Sequence, residues 1–215
     1  MKISRIYKKY KIMPFLQTHM VRVAGVATII CQGWEDEIES NNIISACLLH
    51  DVGNIIKFKL GAFPDTLEPQ GLVYWQKIQD LFKEEYSEDE HEASYKIAEE
   101  IGVDDRVMEL IKSVGFSYSV ENYKHSDYPK KICAYSDHRV GLFAILSLEK
   151  RMQEGRKRFK INKGEAVCDK DSFMHYAFYM RKIEKQIFEK CKIEPGDIND
   201  DMVNEKIASL REWEL

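Results

Sequence analysis

Apolar positions recur along most of this chain at three- and four-residue intervals, the spacing of one face of a helix. Phe15, Leu16, Met20, Val23, Val26, Ala27 and Ile30 make such a face, and His19 lies on it. Pro14 suits the first turn of that helix, which the pattern carries to about Cys31, with Gly33 at its end. A second helix begins near Ser40 to Asn42, residue types that favour N-caps. It is apolar nearly all round through Ile43, Ile44, Ala46, Cys47, Leu48 and Leu49, which marks a central, buried helix. It runs straight into His50 and Asp51. A carboxylate after a buried apolar run is costly unless something pairs with it.

Residues 61–71 (GAFPDTLEPQG) hold two prolines and two glycines and read as a loop. Helices follow at about 72–85 and 87–101, the second carrying His91, Tyr95 and Ala98 on one face and ending at Gly102. Asp104 or Asp105 caps a short helix to Val114, and a loop covers roughly 115–128. Pro129 opens a helix with Ile132, Cys133, Tyr135, Asp137 and Val140, which the pattern continues toward Met152. The polar, basic residues 153–170 read as a connection with a short extended piece. Helices at 171–191 and 199–213, separated by Pro195-Gly196, finish the chain. Strand signals are weak and no internal repeat occurs, so the expected fold class is all-α.

Composition narrows the picture. The 215 residues suffice for one sizeable core, and 44% hydrophobic with 32% charged residues exclude a disordered chain. The net charge of -4 gives no global attraction to nucleic acid. The longest apolar run, Ile43 to Leu49, is broken by Ser45 and is too short to span a bilayer. No apolar signal core follows the basic Met1–Tyr10 stretch. Five cysteines, Cys31, Cys47, Cys133, Cys168 and Cys191, are an odd number at long spacings with no CxxC, which argues against a disulfide framework or a zinc–thiolate site. Cys47 and Cys133 read as small core residues. A reducing cytoplasm is the expected compartment.

The chemistry concentrates in one His on an early helix, an adjacent His-Asp pair ending a buried helix, and a late Asp. Imidazole nitrogen and carboxylate oxygen suit divalent ions of borderline or hard character. Neighbouring residues on a helix diverge by about 100°. His50 and Asp51 therefore share an ion only if it sits beside their helix, with His19 and Asp137 completing the set from other helices. Such a site leaves positions for water and substrate, and water on the ion becomes a nucleophile near neutral pH.

The order H…HD…D, with QTHMVRVA, LLHDVG and AYSDHRVG around the four residues, resembles the HD-domain superfamily over residues 15 to 150. The resemblance implies an HD-domain helical bundle over residues 1–152, with 153–215 as a connector and a C-terminal helical extension packed on the same domain. By motif it makes His19, His50, Asp51 and Asp137 metal ligands for a divalent ion: manganese, zinc, iron, cobalt or magnesium. It implies a metal-dependent phosphohydrolase acting on a nucleotide or another small phosphate ester. A di-iron oxygenase of the HD type and a non-catalytic metal- or nucleotide-binding module are the alternatives.

Other residues take roles around that set. The family often has Lys after HDxG; here Asn54 stands there, and Lys57 one turn later can carry the charge. Arg22, one turn past His19, can bind a phosphoryl oxygen, and Lys57 can steady the same charge. Asp51 and His91 are the candidate catalytic groups, His91 through substrate contact or proton transfer. Some HD proteins bind a second metal with two further histidines. His91 falls where the first would, but ELIKSVGFSY offers no second, and His125 comes late, in a loop. His138 falls on a different helix face from Asp137 and reads as a surface group or a neighbour of the ligands, and His175 as structural or neutral. The basic run KRMQEGRKRFK (150–160) reads as a solvated connector, with a phosphate-rich ligand or nucleic acid as the alternative. The expected partner is a small phosphorylated substrate, with a nucleotide as one candidate; neither membrane nor nucleic acid is expected, and the sequence leaves the oligomeric state open, a homodimer included.

Overall fold

The computed structural model describes residues 1–62, 64–163 and 170–215, with side chains described except at 158–163, 170 and 171. The described residues form eleven α-helices and no strand: α1 (Ile3–Lys9), α2 (Pro14–Gly33), α3 (Ser40–Leu49), α4 (Gly71–Glu85), α5 (Glu90–Ile101), α6 (Asp105–Lys112), α7 (Ser119–Lys124), α8 (Tyr128–Asp137), α9 (Leu148–Lys163), α10 (Lys170–Phe188) and α11 (Asp200–Arg211). The chain is all-α, as the periodicity predicts.

Helix α2 is the axis of the bundle. It packs against α3, α8 and α11 and buries residues around most of its circumference, from Leu16 and Met20 to Ile29 and Ile30. By length and composition it is apolar enough to cross a membrane, but 56% of its most apolar stretch is buried inside the molecule. Helix α3 packs on α2, α6 and α8, and every residue from Ile43 to Leu49 is buried. Its all-round apolar pattern is thus explained by three neighbours. Where α11 crosses α2, Gly25 lies against Val203. A Cβ there would stand 2.8 Å from Val203 Cγ1, so the two helices approach as closely as a glycine permits.

The C-terminal helices share the same hydrophobic core, through Met180, Ile183 and Ile187 of α10 and Val203 and Leu210 of α11. Buried polar links reinforce the seam. Arg139, 2% exposed, donates to the Tyr135 hydroxyl at 2.7 Å and to the Ile198 carbonyl at 3.1 Å. The Tyr135 hydroxyl donates to Glu184 at 2.6 Å, and Lys131 donates to Gln186 at 2.7 Å. Such groups stay buried because each finds a partner.

Several elements differ from the sequence pattern. Helix α1 lies in a stretch with no predicted element. The loop 61–71 contains 3₁₀ turns at Leu60–Ala62 and Pro64–Leu67, and α7 falls inside the loop predicted at 115–128. Helix α3 starts at Ser40 without a side-chain cap, and the Glu39 carboxylate ahead of it accepts from Arg106 and Asn42. Helix α5 begins at Glu90, not Ser87, since the Asp89 carboxylate accepts from the His91 and Glu92 amides. Helix α8 stops at Asp137 rather than running toward Met152. The buried Arg139 side chain donates to the Leu146 carbonyl and folds 138–147 into a bend before α9. The connection predicted from 153 is helical to Lys163, in keeping with its Lys, Arg, Glu and Gln content. The rest of that connection, with Cys168, lies outside the described residues, as do the side chains of Arg158, Phe159 and Lys160 in the basic run. Within that run Arg151 donates to the Val140 carbonyl at 2.7 Å.

Candidate metal centre

Three helices bring the four predicted ligands together. His19 projects from the second turn of α2, His50 caps α3, Asp51 begins the turn after it, and Asp137 is the last residue of α8. His19 Nε2 lies 3.0 Å from Asp137 Oδ1 and 3.6 Å from Asp51 Oδ2. His50 Nε2 lies 3.7 Å from each of those same oxygens. The two imidazole rings are 5.5 Å apart and tilted by 57°, so their nitrogens converge without stacking. His19, His50 and Asp51 offer ligand atoms that all lie within 4.8 Å of one another, a set that can hold a metal ion.

The donor set passes a second test. His50 Nδ1 sits 2.9 Å from the Cys47 carbonyl, which only accepts, so Nδ1 carries the proton. Nε2 is then buried with no hydrogen-bond partner among the described residues. A buried nitrogen aimed at two carboxylates but beyond hydrogen-bond distance of either is what a cation site requires. The electrostatics agree. Burial alone would lower the His50 pKa, but the carboxylates of Asp51 and Asp137 raise it to about 9, so the pocket attracts positive charge. Burial works to raise both carboxyl groups and is outweighed. His50, Lys57 and His19 hold Asp51 low, and the hydrogen bond from His19, with the His50 and His138 imidazoles close by, holds Asp137 well below the usual carboxylate range. The His50 side chain is 2% exposed, whereas those of His19, Asp51 and Asp137 are 16–19% exposed, so one side of the cluster opens to solvent.

The turn after the doublet is locked in place by α5. The Gly53 amide donates to Ser94 Oγ at 2.9 Å, and a Cβ on Gly53 would stand 2.5 Å from the Ser94 nitrogen. Only glycine admits this approach. It sets the first turn of α5 beside the site. There Lys57 pairs with Glu90 at 3.6 Å, and the Lys57 charge helps hold Asp51 low. His91 lies 3.9 Å from Glu90 and stacks on Tyr95. Arg22 is half-buried, and its Nε has no hydrogen-bond partner among the described residues. His125 is exposed beside Glu121, and His175 is exposed beside Tyr176 and Tyr179.

Two residues near the cluster correct or extend the sequence reading. His138 is not a surface group. It is 6% exposed, donates from Nδ1 to the Ala134 carbonyl at 2.8 Å and stacks on Phe116, and burial lowers its pKa. Asn54 was placed only by what it replaces; in the structure it donates to Asp51 Oδ2 at 2.6 Å. The three-residue spacing in HDVGN was the available signal. A surface cavity of about 500 Å³ beside Trp34, Arg106 and Tyr128 is lined by none of the site residues.

No curated protein and no solved structure matches this chain. The HD domain family matches residues 16–142, a span that begins just before His19, contains the His50-Asp51 doublet and ends just after Asp137. Its fold is all-α and its superfamily is one of metal-dependent phosphohydrolases. With more than half its length inside the match, the chain belongs to the HD domain family.

Proposed function

We propose that this protein is a metal-dependent phosphohydrolase acting on a nucleotide or another small phosphate ester. The observation that carries this reading is the buried Nε2 of His50, without a hydrogen-bond partner among the described residues and facing two carboxylates and a second imidazole. His19, His50, Asp51 and Asp137 would hold one divalent ion. When bound, such an ion supplies a Lewis acid for a phosphoryl oxygen and lowers the pKa of water. The chain's own residues do the rest. Arg22, whose buried Nε has no hydrogen-bond partner among the described residues, binds a phosphoryl oxygen, and Lys57 beside Asp51 offsets the remaining negative charge. As water attacks phosphorus, Asp51 accepts its proton. His91, with 43% of its side chain exposed on the first turn of α5, hands a proton to the departing ester oxygen.

The test is elemental analysis of protein purified without chelator, followed by a panel of nucleotides and phosphate esters. About one divalent ion per chain and hydrolysis of a panel member are expected, both lost in Asp51→Ala. Full hydrolysis in that variant would overturn the mechanism. Tight nucleotide binding without turnover would assign the chain to a regulatory role, and about two irons with oxygen consumption would assign it to the oxygenases.

A further inference from the structure

We infer that Asn54 is a positioning residue that fixes the Asp51 carboxylate for cation binding, an inference that rests on the metal site proposed above. Asn54 Nδ2 donates to Asp51 Oδ2 at 2.6 Å. That same oxygen points into the cluster, 3.6 Å from His19 Nε2 and 3.7 Å from His50 Nε2. One amide hydrogen bond therefore sets the rotamer of the carboxylate on the side where an ion would sit.

The position of Asn54 is itself over-determined. Its backbone amide donates to the Asp51 carbonyl at 3.0 Å. The following 3₁₀ turn (Asn54–Lys57) is pinned by the buried Gln79 of α4, which donates to the Ile55 carbonyl at 2.7 Å and the Phe58 carbonyl at 2.9 Å. The residue before it is held by Ser94. A hydrogen bond delivered from so rigid a base holds its target to one geometry.

The other end of the same side chain shows that folding alone does not account for it. Asn54 is 5% exposed, and its Oδ1 is buried with no hydrogen-bond partner among the described residues. A carboxylate cannot donate, so Nδ2 must face Asp51 and Oδ1 must face away. A buried acceptor left empty costs stability, and an apolar side chain of the same size would avoid that cost. What the amide contributes in return is its grip on Asp51. It does so without charge. The amide orients the oxygen and adds no charge that would compete with an incoming ion.

Calorimetric titration of Mn²⁺ into the chelator-stripped full chain tests this, with Asn54→Leu and Asn54→Ala alongside and the melting temperature of each metal-free protein measured. Leu keeps the volume and removes the donor; it should weaken Mn²⁺ binding roughly ten- to hundredfold. Ala opens room for a water to donate in place of the amide and should lose less. A merely structural role would move the metal-free melting temperature and leave the Mn²⁺ dissociation constant alone. A Leu variant that binds Mn²⁺ as tightly as the wild type overturns the inference while leaving the metal site standing. Should the Leu variant not fold, unchanged affinity in the Ala variant overturns it and weakened affinity supports it. A wild-type chain that takes up no Mn²⁺, Zn²⁺ or Fe²⁺ overturns the proposed site itself.

Discussion

At the scale of single residues, a guanidinium with spare hydrogen-bonding capacity lies on the same helix as one of the candidate ligands. The Arg22 Nε is buried on the helix that also carries His19, one turn away, and finds no partner among the described residues. A hydrogen bond from a charged donor contributes about 1.5–3 kcal/mol. If Arg22 binds the substrate phosphoryl group, Arg22→Gln should lower kcat/KM roughly ten- to hundredfold with metal content unchanged. Unchanged kcat/KM would remove Arg22 from the site. The four ligand candidates were legible in the sequence because each is a polar group set into an apolar helical pattern, which physical chemistry tolerates only where something pairs with it. Asn54 and His138 were not legible in the same way. The role of Asn54 depends on which end of its amide meets Asp51. The burial of His138 depends on α8 ending at Asp137 and on Phe116 arriving from elsewhere in the chain.

At the scale of elements, the candidate ligands are held by helices whose far ends are tied together by one arginine. Arg106 of α6 donates to Glu39, ahead of α3, at 2.6 Å and to Asp127, the cap of α8, at 2.8 Å. Hydrogen bonding to Arg106 lowers the Glu39 pKa. For Asp127 burial acts to raise the pKa, and Arg106 more than offsets it. Both folded pKa values are depressed, so the stabilisation is present in full above the unfolded value of about 4 and is lost as pH falls through the folded values. Arg106→Gln should cost about 1–2 kcal/mol near neutral pH, less than a fully buried pair, because the side chains are about a third exposed. The gap between wild type and variant should then close as the pH falls below about 4 in urea unfolding curves. A gap independent of pH would place the effect in packing, not in charge. Helices α2, α6, α8 and α11, each with a side-chain cap or a proline at the first turn, were legible nearly to their N-terminal boundaries, whereas α5 starts three residues later than its pattern, at the Asp89 cap. The short α1 and α7 were not. Helices of six or seven residues are unstable alone and form where tertiary contacts favour them, as α7 does against α10 and α8.

At the scale of the whole molecule, helix contacts are non-local and leave little trace in sequence. The Gly25–Val203 crossing joins residues from opposite ends of the chain, and Trp213 Nε1 donates to Ser45 on α3 at 3.0 Å. No periodicity announces either. Their consequence is that the scaffold of the candidate centre is completed by the C-terminal helices, and that α2, α3 and α8, which carry His19, His50 and Asp137, are the helices at the middle of the core. A ligand held by all three binds the folded state and has no equivalent site in the unfolded chain. It therefore stabilises the whole fold by mass action, about 2.7 kcal/mol at a free concentration one hundredfold above the dissociation constant. For a chain of this size each kcal/mol moves the melting temperature by about 2–4 °C. Saturating the chelator-stripped protein with its preferred divalent ion should thus raise the melting temperature by roughly 5–10 °C. The shift should vanish in His50→Ala, which removes the most buried ligand. Scanning calorimetry with and without Mn²⁺, Zn²⁺ and Fe²⁺ measures both. A melting temperature indifferent to all three ions would mean that the convergence of two imidazoles and two carboxylates is a buried ion-pair network, and that the fold is complete without a metal.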